Sequence, residues 1–202
     1  MKIVLASGSP RRKEILENMN LKFDIIKSEI DETTIEGESP EDLVKRLSYE
    51  KAHDVATRNS DSIVIGADTV VVLDGNILGK PKDKEDAFNM LREMSGREHS
   101  VITGISMLCL DLKSEVSDFC VSKVKFKNLS DEDIYSYIET GECMDKAGAY
   151  GIQGLGGLFV EYIKGDYFNI VGFPISSASE IFKNYFNIDL LKLNKGRFSW
   201  FK

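Results

Sequence analysis

The sequence predicts an α/β fold around a mixed sheet, and three observations carry that prediction. Short apolar runs alternate with segments whose apolar residues recur at helical spacing. Residues 62–73, with Ile63-Val64-Ile65 and Val70-Val71-Val72-Leu73, form the most apolar run of the chain, as a strand buried on both faces requires. Residues 98–110 and 115–127 read as two paired strands, so hairpin-style strands coexist with strands of the parallel type.

Taken in order, residues 2–7 are a short apolar strand, and 10–19 a helix with Ile15, Leu16 and Met19 on one face. Residues 23–28 give a second strand. A helix follows Ser39, with Pro40 at its first position and Leu43, Leu47 and Val55 turned inward. After the strand 62–73, Asp74-Gly75-Asn76 signals a turn. Asp83 caps the next helix and Ser95-Gly96 closes it. In the strand 115–127, Lys123, Lys125 and Lys127 alternate with Val124 and Phe126, so one face is wet. Ser130 and Asp133 start another helix in capping-box fashion. Residues 158–163 are a strand and 174–186 a final helix. The tail 187–202 ends in Arg197, Phe198, Trp200 and Phe201 and receives no role.

Composition bounds the function. At about 150 residues per domain, 202 residues make one domain or two small ones, long enough for a core without covalent staples. Hydrophobic residues at 42% and charged residues at 29% are the balance of a soluble globular protein. The chain holds 26 Lys and Arg against 33 Asp and Glu, for a net charge of −7. That balance argues against a nucleic-acid binder, which needs a basic stripe, but leaves room for a phosphorylated small molecule at a local cationic cluster. Three cysteines, Cys109, Cys120 and Cys143, with no CxxC and only His53 and His99, exclude a disulfide framework and a His/Cys zinc site. The apolar run at the N-terminus is too short for a signal peptide, and no stretch approaches a membrane span. A cytoplasmic protein with no membrane partner is expected.

Chemistry concentrates in a few segments. In Ser7-Gly8-Ser9-Pro10-Arg11-Arg12-Lys13 a strand ends, Ser9 caps and Pro10 opens a helix, aiming free backbone N–H groups at the strand tip beside three cations. Spacing alone leaves an anion site and an ordinary capped helix both open; cations in a first helical turn oppose the dipole, which favours the anion. Gly75 to Pro81 is no P-loop, having three residues between its glycines and Pro81 where Ser or Thr would hold magnesium. Lys80 then stands as a phosphate-reaching cation or as a solvated turn lysine. Asp68, set in the most apolar run, must be paired, protonated or metal-bound. Glu32, in the turn after the second strand, reads alone as a surface acid but can complete a carboxylate pair with Asp68 for a hard cation such as Mg²⁺. Lys51 reads from spacing as a solvated helix lysine. In Asp145-Lys146-Ala147-Gly148-Ala149-Tyr150-Gly151-Ile152-Gln153-Gly154, a glycine at every third position suggests close backbone approach, and Gln153 offers a donor and an acceptor side by side. His53 and His99 receive no role.

Five of these segments, in this order, resemble the Maf family of nucleoside triphosphate pyrophosphatases, also described as septum-formation inhibitors. They are Ser7-Gly8-Ser9-Pro10-Arg11-Arg12, Gly66-Ala67-Asp68-Thr69-Val70-Val71, Gly79-Lys80-Pro81, Leu91 through Ser95-Gly96, and Asp145 through Gly154. The resemblance runs from about residue 3 to 186 and leans to the branch that cleaves dTTP and UTP. It implies an inosine-triphosphatase-like fold, an elongated mixed sheet flanked by helices with a cleft between two lobes, within one domain over 1–186. It also implies a homodimer. By resemblance Asp68 is the proton acceptor, and Arg11, Thr69 and Gln153 match positions linked to base selectivity. Ser7, Arg12, Glu32, Lys51 and Lys80 match the phosphate and metal cluster, with Glu32 and Asp68 toward Mg²⁺ or Mn²⁺. Cys143 stands where the family has Pro, so a looser approach to the Asp145 loop is expected.

The resemblance implies hydrolysis of dTTP and UTP, and of modified pyrimidine nucleotides, to the monophosphate and pyrophosphate, in a house-cleaning or division-arrest role. Two rivals remain. A non-catalytic nucleotide sensor would bind without turnover, and a phosphomonoesterase would release inorganic phosphate.

Overall fold

A computed structural model describes residues 1–194, and Arg197, Phe198, Trp200 and Phe201 lie outside the described residues. One seven-stranded mixed sheet organises the chain. Strand β1 (Ile3–Leu5) lies between β2 (Asp24–Ile25) and β3 (Ile63–Leu73), parallel to both. Strand β4 (Asn76–Leu78) folds back on the end of β3 through the Asp74-Gly75 turn. The rest of the sheet is antiparallel: β3 pairs β5 (Glu98–Cys109), β5 pairs β6 (Ser114–Phe126), and β6 pairs β7 (Val160–Lys164). The expected strands and hairpin form; β4 and a helix over Leu190–Leu193 lie outside the expected set, and other bounds shift. β2 keeps only two residues. Residues 158 and 159 belong to a 3₁₀ turn over Leu155–Phe159, because Gly156 and Gly157 tighten the chain before β7 begins. A short helix over Tyr167–Val171 precedes the last predicted one; its five residues are too few to print a helical period.

Helix α1 (Pro10–Asn18), α2 (Pro40–Ala56), α3 (Lys84–Met94) and α4 (Asp131–Glu139) form where predicted. Asp83 caps α3, and Ser130 with Asp133 completes a capping box on α4. Ser9 takes the N-cap position of α1, and its carbonyl accepts the Lys13 N–H at 3.2 Å, but its side chain makes no capping hydrogen bond; its own N–H donates to Ser7 Oγ at 3.2 Å. The short helix is α5 (Tyr167–Val171), followed by α6 (Ile175–Phe186) and α7 (Leu190–Leu193). Leu190 and Ile188 pack on the core, so the chain stays attached past Phe186.

Along β3 the core divides. Its odd-numbered side chains enter two separate clusters on one face of the sheet. Ile63, Ile65 and Ala67 join Leu16, Phe173 and Phe182, whereas Val71 and Leu73 join Leu91, Phe126 and Phe159. On the opposite face α2 runs past both halves, packing Ala52 and Val55 on Val64, and Leu43 and Leu47 on Val70 and Ile102. Glycine permits that close seat. A Cβ at Gly66 would lie 2.1 Å from the Ser48 carbonyl oxygen, and one at Gly104 would lie 2.1 Å from that of Val44.

Candidate active site

β3 loses its neighbour in mid-course. β1 pairs it only as far as Ile65, and β4 joins only at Val71, while β5 continues the ladder on the other edge. Asp68 and Thr69 sit in that gap, on opposite faces because strand side chains alternate. A cleft of about 1020 Å³ opens there, lined by Ser7, Arg11, Arg12, Glu32, Lys51, Asp68, Thr69, Lys80 and Gln153. All nine residues singled out from sequence thus meet in one place. Six cationic side chains face four carboxylates across its lining, a local positive balance on an acidic chain.

On the α2 face, Lys51 is buried rather than solvated, with its side chain 11% exposed. Its Nζ donates to Asp68 Oδ1 at 2.7 Å and lies 2.7 Å from Glu32 Oε1. The two carboxylates that the sequence set toward a hard cation thus each meet the Lys51 ammonium. The hydrogen bond and the ion pair of Asp68 with Lys51 both run through Oδ1, and Asp68 lines the cleft. Glu32 comes from a long loop between β2 and α2. Arg46 fastens that loop to α2, its guanidinium donating to both Glu38 oxygens at 2.7 Å and to the Thr33 carbonyl at 2.9 Å. Burial opposes ionisation of Glu32, yet the Lys51 hydrogen bond and the charges of Lys51, Lys80 and Arg12 prevail, leaving its pKa below the ordinary value.

On the other face, Arg12 is fixed on three sides. Nε donates to the Gly172 carbonyl at 2.9 Å, Nη1 to Ser7 Oγ at 3.0 Å and Nη2 to Thr69 Oγ1 at 3.2 Å. Thr103 gives its proton to the Asn169 carbonyl, so the 3.0 Å contact between the two threonines runs from Thr69 to Thr103. Burial lowers the pKa of Arg12 while the charge of Asp68 raises it; an arginine remains cationic throughout. Lys80 is exposed on a turn held by buried Pro81 and by the Gly148 N–H, which reaches the Gly79 carbonyl at 3.0 Å. Arg11 Nη1 lies 3.5 Å from Asp145 Oδ2 and links α1 to the opposite lobe.

Sequence reasoning missed several lining residues. Lys146, mostly buried, bonds the Glu142 carbonyl and Asp145 Oδ1, each at 2.6 Å. Its place inside the glycine-rich run was the available signal. Lys27 and Glu142 carried none. Cys143, at the position expected to loosen the approach, is fully buried in the second core cluster, and its carbonyl accepts the Lys146 N–H at 3.2 Å. His99 is buried and bonded to Tyr150 Oη at 2.8 Å, a packing role. No helix among the described residues is long and apolar enough to cross a membrane.

At the level of class, this is an α/β protein with a cationic cleft at the broken edge of a central strand, able to hold a polyanion. More narrowly, the chain belongs to the Maf family, whose profile, described as Maf-like protein, matches residues 2–185. A protein of Clostridioides difficile (strain 630) is 60% identical over 190 residues, spanning 94% of this chain and 98% of its own length. One from Alkaliphilus metalliredigens (strain QYMF) is 53% identical, spanning 94% of this chain and 99% of itself. A third, from Geobacillus sp. (strain WCH70), is 55% identical over 86% of this chain and 92% of itself. All three are named dTTP/UTP pyrophosphatase.

Proposed function

We propose that this chain hydrolyses dTTP and UTP to the nucleoside monophosphate and pyrophosphate. The observation that carries the reading is Lys51 held between Asp68 and Glu32 beside Arg12, at the one place where β3 is open to a ligand. A triphosphate brings about four negative charges. Arg12, already fixed on three sides, presents its charge without further ordering, and Lys80 and Lys51 add theirs. Asp68 Oδ2 accepts the proton of a water that attacks the α-phosphorus. The bond from that phosphorus to the bridging oxygen breaks, and pyrophosphate leaves. General-base help of this kind is worth about 10²–10⁴-fold, so the fixed cations carry the larger share.

A divalent ion, Mg²⁺ or Mn²⁺, fits the donor set in part. Glu32 and Asp68 offer hard carboxylate oxygens, but one oxygen of each already meets the Lys51 ammonium at 2.7 Å, and no cluster of three or more acidic, His or Cys side chains exists among the described residues. Such ions take one or two carboxylates together with substrate phosphates and water, so these two residues would hold it once a triphosphate is present. When bound, the ion would neutralise phosphate charge and polarise phosphate oxygens. Thymine and uracil share one hydrogen-bonding edge, which Gln153, exposed at the cleft, is equipped to read with Arg11 and Thr69 nearby.

The test is a product assay on dTTP and UTP with Mg²⁺ or Mn²⁺. Monophosphate and pyrophosphate are expected, with turnover lost in Asp68→Asn and in excess EDTA. Release of inorganic phosphate would make the protein a phosphomonoesterase, and tight binding without turnover would make it a sensor.

A further inference from the structure

Gln153 stands in the middle of an irregular segment, after Gly151 and before the 3₁₀ turn that starts at Leu155. The groups that hold this segment come from α4 and the turn beyond it. Tyr137 Oη accepts the Gly151 N–H at 3.2 Å and donates to Glu142 Oε1 at 3.0 Å. Glu142 Oε2 accepts the Leu155 N–H at 2.9 Å, and Oε1 accepts the Gly156 N–H at 3.2 Å. Backbone amides on both sides of Gln153 are therefore tied to one phenol–carboxylate pair. The glycines make room for it. A Cβ at Gly154 would lie 2.4 Å from Glu142 Oε2, and one at Gly156 would lie 2.9 Å from Tyr137 Oη. At Gly154 the close backbone approach implied by the glycine spacing is to Glu142, and at Gly156 the chain also packs on the Gly151 backbone, whose oxygen would lie 2.8 Å from a Cβ.

We infer that Glu142 and Tyr137 are specificity-positioning residues, which act through Gln153 by fixing where its amide meets the base; the inference rests on the reading of Gln153 as the base contact. Glu142 spends both oxygens on the segment. A glutamine has one acceptor oxygen, so in either orientation its NH₂ faces the Leu155 N–H or the Gly156 N–H, and one anchor is lost. Tyr137→Phe removes the Gly151 anchor and the proton held on Oε1. Neither change removes a group placed against phosphate.

The experiment measures kcat/KM for dTTP, UTP and CTP in the wild type, Gln153→Ala, Glu142→Gln, Tyr137→Phe, and each positioning variant combined with Gln153→Ala. Glu142→Gln is expected to narrow the preference for UTP over CTP about tenfold, the factor that one lost hydrogen bond of about 1.4 kcal/mol represents. In the Gln153→Ala background the same substitution should narrow it no further. Amide exchange over 151–156 should rise in both positioning variants. Equal loss on all three nucleotides, or full additivity with Gln153→Ala, would overturn the inference and leave Glu142 a general structural residue. Should Glu142→Gln fail to fold, Tyr137→Phe, which deletes one oxygen, decides by the same ratios. An unchanged ratio in Gln153→Ala itself would remove the base reading, a failure distinct from that of its supports.

Discussion

Lys51→Met separates electrostatics from packing at the centre of the fold. Methionine matches the length and much of the volume of lysine, so the substitution leaves little void. It does leave Asp68, whose side chain is 10% exposed, without the ammonium now 2.7 Å away. Glu32 loses the same partner, but at 57% exposure it can turn to water. Only Asp68 bears the full consequence. Breaking a buried pair by removing one member costs about 3–5 kcal/mol, because the other charge stays buried. In a chain of this length each kcal/mol moves Tm by about 2–4 °C, so a drop of about 6–20 °C is expected.

The assay is thermal unfolding by circular dichroism in buffer with EDTA and no nucleotide, so ligand linkage does not enter. Lys51→Met/Asp68→Asn is the companion variant. It removes the stranded charge and should recover more than half of the lost Tm, although both lesions abolish turnover. A single variant melting within about 2 °C of wild type would refute the reasoning, since Lys51 would then contribute only its hydrocarbon stem. Two independent, additive losses in the double variant would refute it as well, because uncoupled residues add.

Other outcomes follow from particular contacts. Burial lowers the pKa of His99 to about 4, so the folded protein holds it neutral while the unfolded chain protonates near its ordinary value. That contribution, roughly 3 kcal/mol, is present above about pH 6.5 and is lost as pH falls toward 4. His99→Asn should flatten the urea midpoint across that window, and a parallel decline would exclude His99 as the cause. Gly104→Ala places a Cβ 2.1 Å from the Val44 carbonyl and should lower both Tm and activity by lifting α2, whereas Gly79→Ala, with nothing within 4 Å, should leave Tm unchanged. Arg12→Lys cannot span the Gly172, Ser7 and Thr69 contacts and should raise KM for UTP at least tenfold; an unchanged KM would leave Arg12 as scaffold alone.

The legible part of the site is the part written as local chemistry. Asp68 announces itself because a carboxylate in so apolar a run needs a partner, and Arg11-Arg12 because cations open a helix against its dipole. The partner itself was not legible. Lys51 sits on α2, and nothing in a helical sequence tells a lysine that snorkels outward from one whose helix is seated on a strand, as α2 is where Ser48 and Ala52 meet Gly66. The two-residue β2 and the five-residue α5 were blurred for a different reason, since neither is long enough to show a period. Ser9 fits every rule for a cap, yet its own N–H is taken by Ser7, which also receives Arg12.

What turns these pieces into a site is the arithmetic of strand pairing. An eleven-residue strand needs a partner along each edge, and β1 and β4 supply three residues apiece on one of them. The uncovered stretch leaves backbone groups and alternating side chains open to whatever fills the cleft, in the middle of an otherwise buried strand. Asp68 is thereby held rigidly by β5 on one side and stays accessible on the other, while Thr69 turns to the opposite face and meets Arg12. A site on the strand itself gains the stiffness of the whole sheet, and its loop-borne parts, the Glu32 loop and the Gln153 segment, are tied back by Arg46 and by Glu142. With Asp68 and Lys51 on rigid elements and the proposed base contact on the Gln153 segment alone, a substitution at Glu142 is expected to change which base is accepted more than how the phosphate is cut.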